Sequence, residues 1–195
     1  MTTRDLVVIT SGLSTPSSSR LLADRLAAAT AAKLPVDVTT VELRDLAHQI
    51  TDHLLTGFPP AALKDVLDAV AAADGLIVVT PIFQASYSGL FKSFADLLEK
   101  GTLDGKPVLL AATGGSARHS LALEHALRPL FSHLRAAPTP TAVFAATEDW
   151  GNDATLRSRI DRAARELAGA MERREPAVVT DPFLLTTSFE DLLRG

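Results

Sequence analysis

The chain has 195 residues, 47% of them apolar, and a formal net charge of −4. That length suits one ordinary domain with a sizeable core, and the mild acidity offers no electrostatic footprint for a nucleic-acid partner. With no cysteine in the sequence, disulfides and thiolate metal sites are excluded.

No basic start followed by a long apolar run opens the chain, and no stretch approaches a membrane span. A soluble cytoplasmic protein without a membrane partner is expected. In chain order, "LVVIT" (residues 6–10) reads as a strand buried on both faces. "TSGLSTPSSSR" (10–20) follows as a hydroxyl-rich loop, and 19–32 as a Leu/Ala-rich helix with Asp24 and Arg25 on its other face. "PVDVTTVEL" (35–43) alternates, as an outer strand does, and 60–73 has helical periodicity. "GLIVVT" (75–80) is a second buried strand, followed by the charge-poor stretch "PIFQASY" and a helix over 88–100. "PVLLAAT" (107–113) is a third buried strand, ending in "ATGGSARH" and a helix over 119–135. "PTPTAVFAA" (138–146) has its prolines at the start, where a strand tolerates them. A last helix spans 153–172. Five strands alternating with five helices imply right-handed βαβ units and a doubly wound α/β sandwich. Residues 1–175 form that domain. Residues 176–195 are a tail whose Phe183, Leu184, Leu185 and Phe189 are expected to pack on the domain or on a neighbouring subunit.

In such a sheet a ligand lies outside the carboxyl ends of the strands, and three conspicuous loops share that edge. The first starts a helix, whose free N–H groups and partial positive charge suit a phosphate. It lacks the Gly-Lys-Ser/Thr of a Walker loop and the Gly-x-Gly-x-x-Gly of a dinucleotide fold. A monophosphate fits best; the other reading is an N-cap in a plain loop. In the second loop, backbone amides with Phe83 and Tyr87 suit a flat heteroaromatic ligand, or else the two rings belong to the core. In the third, Gly114 and Gly115 allow close backbone approach, or form a tight turn. His48, His53 and His133 show no metal spacing, and His119 and His125 lie six apart, off one helical face. Trp150 reads as an anchor for the last helix. No Gly-x-Ser-x-Gly elbow is present, so neither a catalytic dyad nor a metal site is expected.

The motifs "A-x-Y-S-G" with Lys92 three further on, "L-x-G-K-P-V-L", "A-T-G-G" with His119 four after Gly115, and "A-L-R-P-L" resemble the NAD(P)H-dependent FMN reductases of two-component alkanesulfonate monooxygenase systems. The likeness is strong over 74–143. The resemblance implies a flavodoxin-like fold with five parallel strands in the order 2-1-3-4-5. It implies that Ser11, Ser17, Ser18 and Ser19 take the FMN phosphate, with Arg20 nearby. Pro81, Ile82, Phe83, Gln84, Tyr87, Ser88 and Gly89 would border the isoalloxazine, and Thr113, Gly114, Gly115 and Ser116 its pyrimidine end. The activity implied is hydride transfer from NADPH or NADH to FMN, with reduced flavin passed to a luciferase-like flavin-dependent monooxygenase. Homodimers, paired into homotetramers through the helix holding His125, are implied too, as is a π-bulge in that helix; Pro129 also interrupts its hydrogen bonds. This chain departs from the pattern in having Ile82 and Phe83 after the loop proline, and Ser14 and Thr15 where many relatives carry an arginine.

Three competing readings use similar architecture. An FMN-containing quinone or azo reductase would hold its flavin tightly and show ping-pong kinetics. A flavodoxin-type electron carrier would be strongly acidic, unlike this chain. A nucleotide-binding regulatory module would not oxidise NADPH.

Overall fold

The computed structural model describes residues 3–151 and 153–174. The expected tail, 176–195, lies outside the described residues. Among the described residues there are seven strands: β1 (Arg4–Thr10), β2 (Val36–Glu42), β3 (Gly75–Phe83), β4 (Ser86–Tyr87), β5 (Pro107–Gly114), β6 (Ala137–Pro138) and β7 (Val143–Ala146). The main sheet runs β2-β1-β3-β5, with β6 and β7 sharing the free edge of β5. All its pairings are parallel, and only the two-residue β4 returns antiparallel on β3. The four long strands and the split fifth therefore take the flavodoxin-like order.

The apolar runs behave as their composition requires. Gly75–Pro81 of β3 and Pro107–Thr113 of β5 are buried without interruption, whereas in β2, at the edge, only Val41 is buried. Helices α1 (Ser18–Ala31) and α6 (Asp153–Arg173) cover one face. There Leu22, Leu26, Leu156, Ala163 and Leu167 pack on Val8, Ile77 and Leu109. The other face carries α2 (Ala47–Thr56), α3 (Ala61–Ala72), α4 (Gly89–Ala95) and α5 (Arg128–His133). Its core includes Ile9, Val78, Leu110 and three phenylalanines, Phe91, Phe94 and Phe131. Phe91 stacks on Phe131 with centroids 6.2 Å apart.

Four local features refine the sequence reading, three of them by departing from it. The fifth expected strand is split, because Pro138 and Pro140 cannot donate to a ladder. The gap is held from both sides: Arg128 donates to the carbonyls of Thr139 (3.0 Å) and Pro140 (3.2 Å), and Glu166 accepts from Thr141 N and Oγ1 (2.7 Å each). The helix expected over 88–100 ends at Ala95, where Leu97 N and Leu98 N bond three residues back and tighten the last turn. The helix expected over 119–135 contains a π-helical turn at Leu123–Leu127 before α5, the irregularity the resemblance implies. Finally, a 3₁₀ turn (Leu43–Leu46) and α2 lie in a stretch assigned to no element. Only Ile50 of α2 is buried, so its apolar stripe is too thin to read. The readable signal was its end, where Gly57 adopts φ 78° and donates to His53 O at 2.8 Å.

The lysine of "L-x-G-K-P-V-L" has a structural part. Lys106 is 1% exposed, and its Nζ donates to the carbonyls of Val70 (2.5 Å) and Ala71 (2.7 Å) in the last turn of α3. Those carbonyls have no partner within the helix, and a cation there also complements the helix dipole. Burial, and secondarily the charge of Arg174, push the Lys106 pKa down from 10.5 to about 8, against the pull of Asp74. Between those two values the unfolded chain binds a proton that the folded chain does not, so this group makes stability rise with pH across that window. Its penalty is fully present below pH 8. Lys106→Met is expected to remove that rise and, near pH 10 where the penalty has gone, to lower stability by about 1–3 kcal/mol, the cost of two unpaired carbonyls. Urea unfolding at pH 7, 8.5 and 10 checks both; parallel curves for the two proteins across the window would sink the assignment.

Candidate functional site

The parallel register gathers the carboxyl ends of four strands. Thr10 stands beside Val79, Pro81 beside Thr113, and Gly114 beside Ala146. The three loops named above leave from these ends.

In the first loop Ser17 caps α1: its Oγ accepts from Arg20 N at 3.2 Å. That leaves the N–H groups of Ser18 and Ser19 in the first turn outside the helix's own ladder. The loop folds back tightly enough that a Cβ at Gly12 would overlap Ser17 Oγ. Only glycine permits that approach.

Buried hydroxyls tie the three loops together. Ser11, fully buried, accepts from Ser88 Oγ at 3.1 Å. Ser88, 1% exposed, caps α4 by accepting from Phe91 N, and its own N–H donates to Thr80 Oγ1 at 3.1 Å. Ser19 and Thr113 share a 2.8 Å hydroxyl bond across the site. The first loop is thereby pinned to the second through Ser11 and to the third through Ser19. Thr10 Oγ1 is buried without a hydrogen-bond partner.

The second loop is a hairpin, a feature the sequence reading did not foresee. Phe83 pairs with Ser86, and the two residues between them, Gln84 and Ala85, have φ of 47° and 67°. Non-glycine residues occupy that left-handed region at a cost, and the two-residue hairpin demands it of both. Phe83 stands 47% exposed at the hairpin's tip. Tyr87 instead lies half-buried with its ring edge-on to Phe91 at 5.8 Å.

Between the loops lie two adjoining depressions that share Ser18, Pro81, Phe83 and Thr113. One, about 330 Å³, is completed by Gly12, Leu13, Ser14, Ser17 and Ser19. The other, about 210 Å³, is completed by Ile82, Gly114, Gly115, Ala145, Thr147 and Trp150. Of the residues expected at a site, Ser17, Ser18, Ser19, Pro81, Ile82, Phe83, Thr113, Gly114 and Gly115 line this pair. Ser11 and Ser88 lie beneath it, and Tyr87 points to the core. Gln84, Gly89 and Ser116 are not among its lining residues: Gln84 stands in the hairpin turn, Gly89 opens α4, and Ser116 caps a 3₁₀ turn through Arg118 N. Arg20 faces away: its guanidinium sits on Asp24 (2.8 Å) and Glu42 (2.6 Å), and the bonded Asp24 carboxylate raises its pKa. Arg44, which sequence reasoning missed, donates from the 3₁₀ turn after β2 to Thr15 Oγ1 in the first loop. Trp150 was also missed as a lining residue; its ring packs on the core and carries Arg25 at 5.2 Å. A larger cavity, about 540 Å³ around Leu98, Leu103 and Leu134, opens before β5 and β6, at the other edge of the sheet.

The arrangement has a specific chemical character. Among the described residues lining the two depressions there is no carboxylate, imidazole, lysine or arginine. Hydroxyls and helix N–H groups gather at one end, and apolar groups with open backbone at the other. A family model for NADPH-dependent FMN reductases matches residues 5–151, the span that contains all three loops. The chain belongs to this family. An FMN reductase (NADPH) of Pseudomonas aeruginosa is 40% identical over 167 residues, covering 84% of this chain and 90% of the relative. An NADH-dependent FMN reductase, SfnF, of Pseudomonas fluorescens is 38% identical, covering 84% and 89%. Among solved structures, an oxidoreductase from Corynebacterium diphtheriae superposes with a TM-score of 0.86 at 46% identity, covering 89% of this chain and 99% of that one.

Family membership gives Phe83 a test. At 47% exposure Phe83 is not packed as a core residue is, so Phe83→Ala is expected to change stability by no more than about 0.5 kcal/mol. Loss of an aromatic face is expected to raise the FMN dissociation constant roughly 3- to 10-fold, the equivalent of about 0.5–1.5 kcal/mol of stacking. Flavin fluorescence titration and thermal melts check the pair; a large drop in melting temperature would return Phe83 to the core.

Proposed function

We propose that this protein is an NAD(P)H:FMN oxidoreductase that releases reduced FMN to a luciferase-like flavin-dependent monooxygenase. The observation that carries the reading is a slot free of acids and bases, at the carboxyl ends of the strands, with a hydroxyl-lined helix N-terminus at one end. The residues present fit FMN. The N–H groups of Ser18 and Ser19 and the hydroxyls around them suit a phosphate. A Cβ at Gly115 would meet nothing within 4 Å, which leaves room for a ring edge beside Thr113. Phe83 and the hairpin offer a face.

When bound, FMN would supply the redox chemistry as the acceptor of the nicotinamide's hydride. The chain's own residues orient and shield. Ser17, Ser18 and Ser19 hold the phosphate end, and the Ser11–Ser88 and Ser19–Thr113 bonds keep the loops at a set separation. Phe83, Pro81 and Gly115 bound the ring and keep water off it. Such a transfer needs reactants held face to face rather than a proton donor, which accounts for a site without titratable groups.

NADH and NADPH oxidation measured separately with FMN, FAD and riboflavin tests this. FMN-dependent turnover of at least one nicotinamide, with sequential kinetics, is expected. Tight flavin retention with ping-pong kinetics would favour a quinone or azo reductase, and no oxidation at all would overturn the reading. We also propose homodimers paired into homotetramers through the helix holding His125. Leu121, 63% exposed beside the π-helical turn, supports this, and a monomer in light scattering at micromolar concentration would refute it.

A further inference from the structure

Next to the phosphate end lies another cavity, about 260 Å³, which shares Ser14 and Ser17 with the first depression. Its far wall is charged. Arg20 Nε lies 2.8 Å from Asp24 and Arg20 Nη1 2.6 Å from Glu42. The second oxygen of Glu42 lies 3.4 Å from Arg44 Nε, which is also 3.4 Å from Asp45. Two guanidinium groups thus meet three carboxylates, and Glu42 is the carboxylate that both share. Glu42 is held in place by the sheet: it ends β2, in register with Thr10, and its side chain is 19% exposed.

We propose that Glu42 is a specificity-determining residue that selects FMN by rejecting flavins carrying a second phosphate. The proposal rests on the reading that the first loop takes the flavin's phosphate. FMN ends at that group. FAD continues through a second phosphate to adenosine, and the cavity sharing Ser14 and Ser17 adjoins the phosphate end. A second phosphate placed there meets the carboxylates of Asp24 and Glu42, whose charge the two guanidinium groups only balance. It also finds both guanidinium groups paired with Glu42, so capturing either one would strand that carboxylate beside a new anion. Discrimination of this kind comes from repulsion and unpaired charge against the wrong ligand, not from added attraction for the right one. It needs little from the ion pairs as stabilisers of the fold, where partly exposed pairs contribute little.

The test compares wild type, Glu42→Gln and Glu42→Asp, with kcat/KM measured for FMN and for FAD under one saturating nicotinamide. Wild type is expected to prefer FMN. Glu42→Gln removes the shared charge and frees the guanidinium groups; it is expected to raise kcat/KM for FAD about tenfold while FMN stays within about twofold. Glu42→Asp keeps the charge and is expected to keep the preference. Raising salt toward molar shortens the screening length from about 10 Å to about 3 Å, so the wild-type preference should narrow. Direct titration of FAD fluorescence should follow the same order. An unchanged FAD/FMN ratio in Glu42→Gln, with FMN turnover normal, overturns the proposal alone. Equal use of both flavins by wild type overturns it too. Failure of wild type to reduce either flavin brings down the underlying reading and this proposal with it.

Discussion

Gly115→Val is expected to weaken FMN binding by about 5- to 150-fold, with turnover falling in step, while the protein stays folded. A Cβ built on Gly115 meets nothing within 4 Å, so the added methyl groups project into open space and not into the core. The adjoining depression holds about 210 Å³, and a branched side chain there occupies volume a ring edge requires. Overpacking of this sort costs roughly 1–3 kcal/mol, which is the range of fold-changes given. Gly114→Ala provides the contrast: its Cβ would come within 2.9 Å of Phe144 Cζ, a 5% exposed core residue. Gly114→Ala should therefore lower the melting temperature as well, whereas Gly115→Val should not. Circular dichroism, thermal melts and flavin titration distinguish the two, and a folded Gly115→Val with undiminished FMN turnover would remove the third loop from the site.

Ser17→Asp is expected to separate FMN from riboflavin. Ser17 is the N-cap of α1, and aspartate caps a helix as well as serine does, so the loop should hold its shape. The new carboxylate then sits at the helix terminus proposed for the phosphate. Two unit charges about 4 Å apart repel by roughly 4 kcal/mol near a protein surface, and screening reduces this further. A loss of about 10- to 100-fold in FMN affinity is expected, with riboflavin, which has no phosphate, almost unaffected. Equal losses for both flavins would show that this loop does not hold the phosphate.

The legibility of the fold followed from burial. β1, β3 and β5 are buried on both faces, so they read as unbroken aliphatic runs and their loops could be assigned to one edge. Amphipathic α1, α3 and α6 were readable for the same reason. Element α2 was not, since one buried isoleucine makes no stripe, and neither was the β3–β4 hairpin. Its turn is Gln84-Ala85, and neither residue advertises the left-handed conformation that both adopt. The serine-rich loop and the paired glycines marked the site by residue type alone. Arg20 shows the limit of that method: proximity in sequence put it near a phosphate, whereas the fold turns its guanidinium to Asp24 and Glu42.

By itself, then, the sequence determined the alternation of buried strands and helices, the sheet edge that bears the loops, and the motifs shared with FMN reductases. These depend on composition and spacing along the chain, which local periodicity records. Only the tertiary structure decided which hydroxyls face one another, Ser11 with Ser88 and Ser19 with Thr113 across separations of 77 and 94 residues. It alone decided that Lys106 caps α3, that Gly114 abuts the core while Gly115 opens on the site, and that Glu42 stands between two arginines. Each of these is a contact between segments distant in sequence, and the partner in such a contact is chosen by how the strands are ordered and the helices pack, not by the residues on either side.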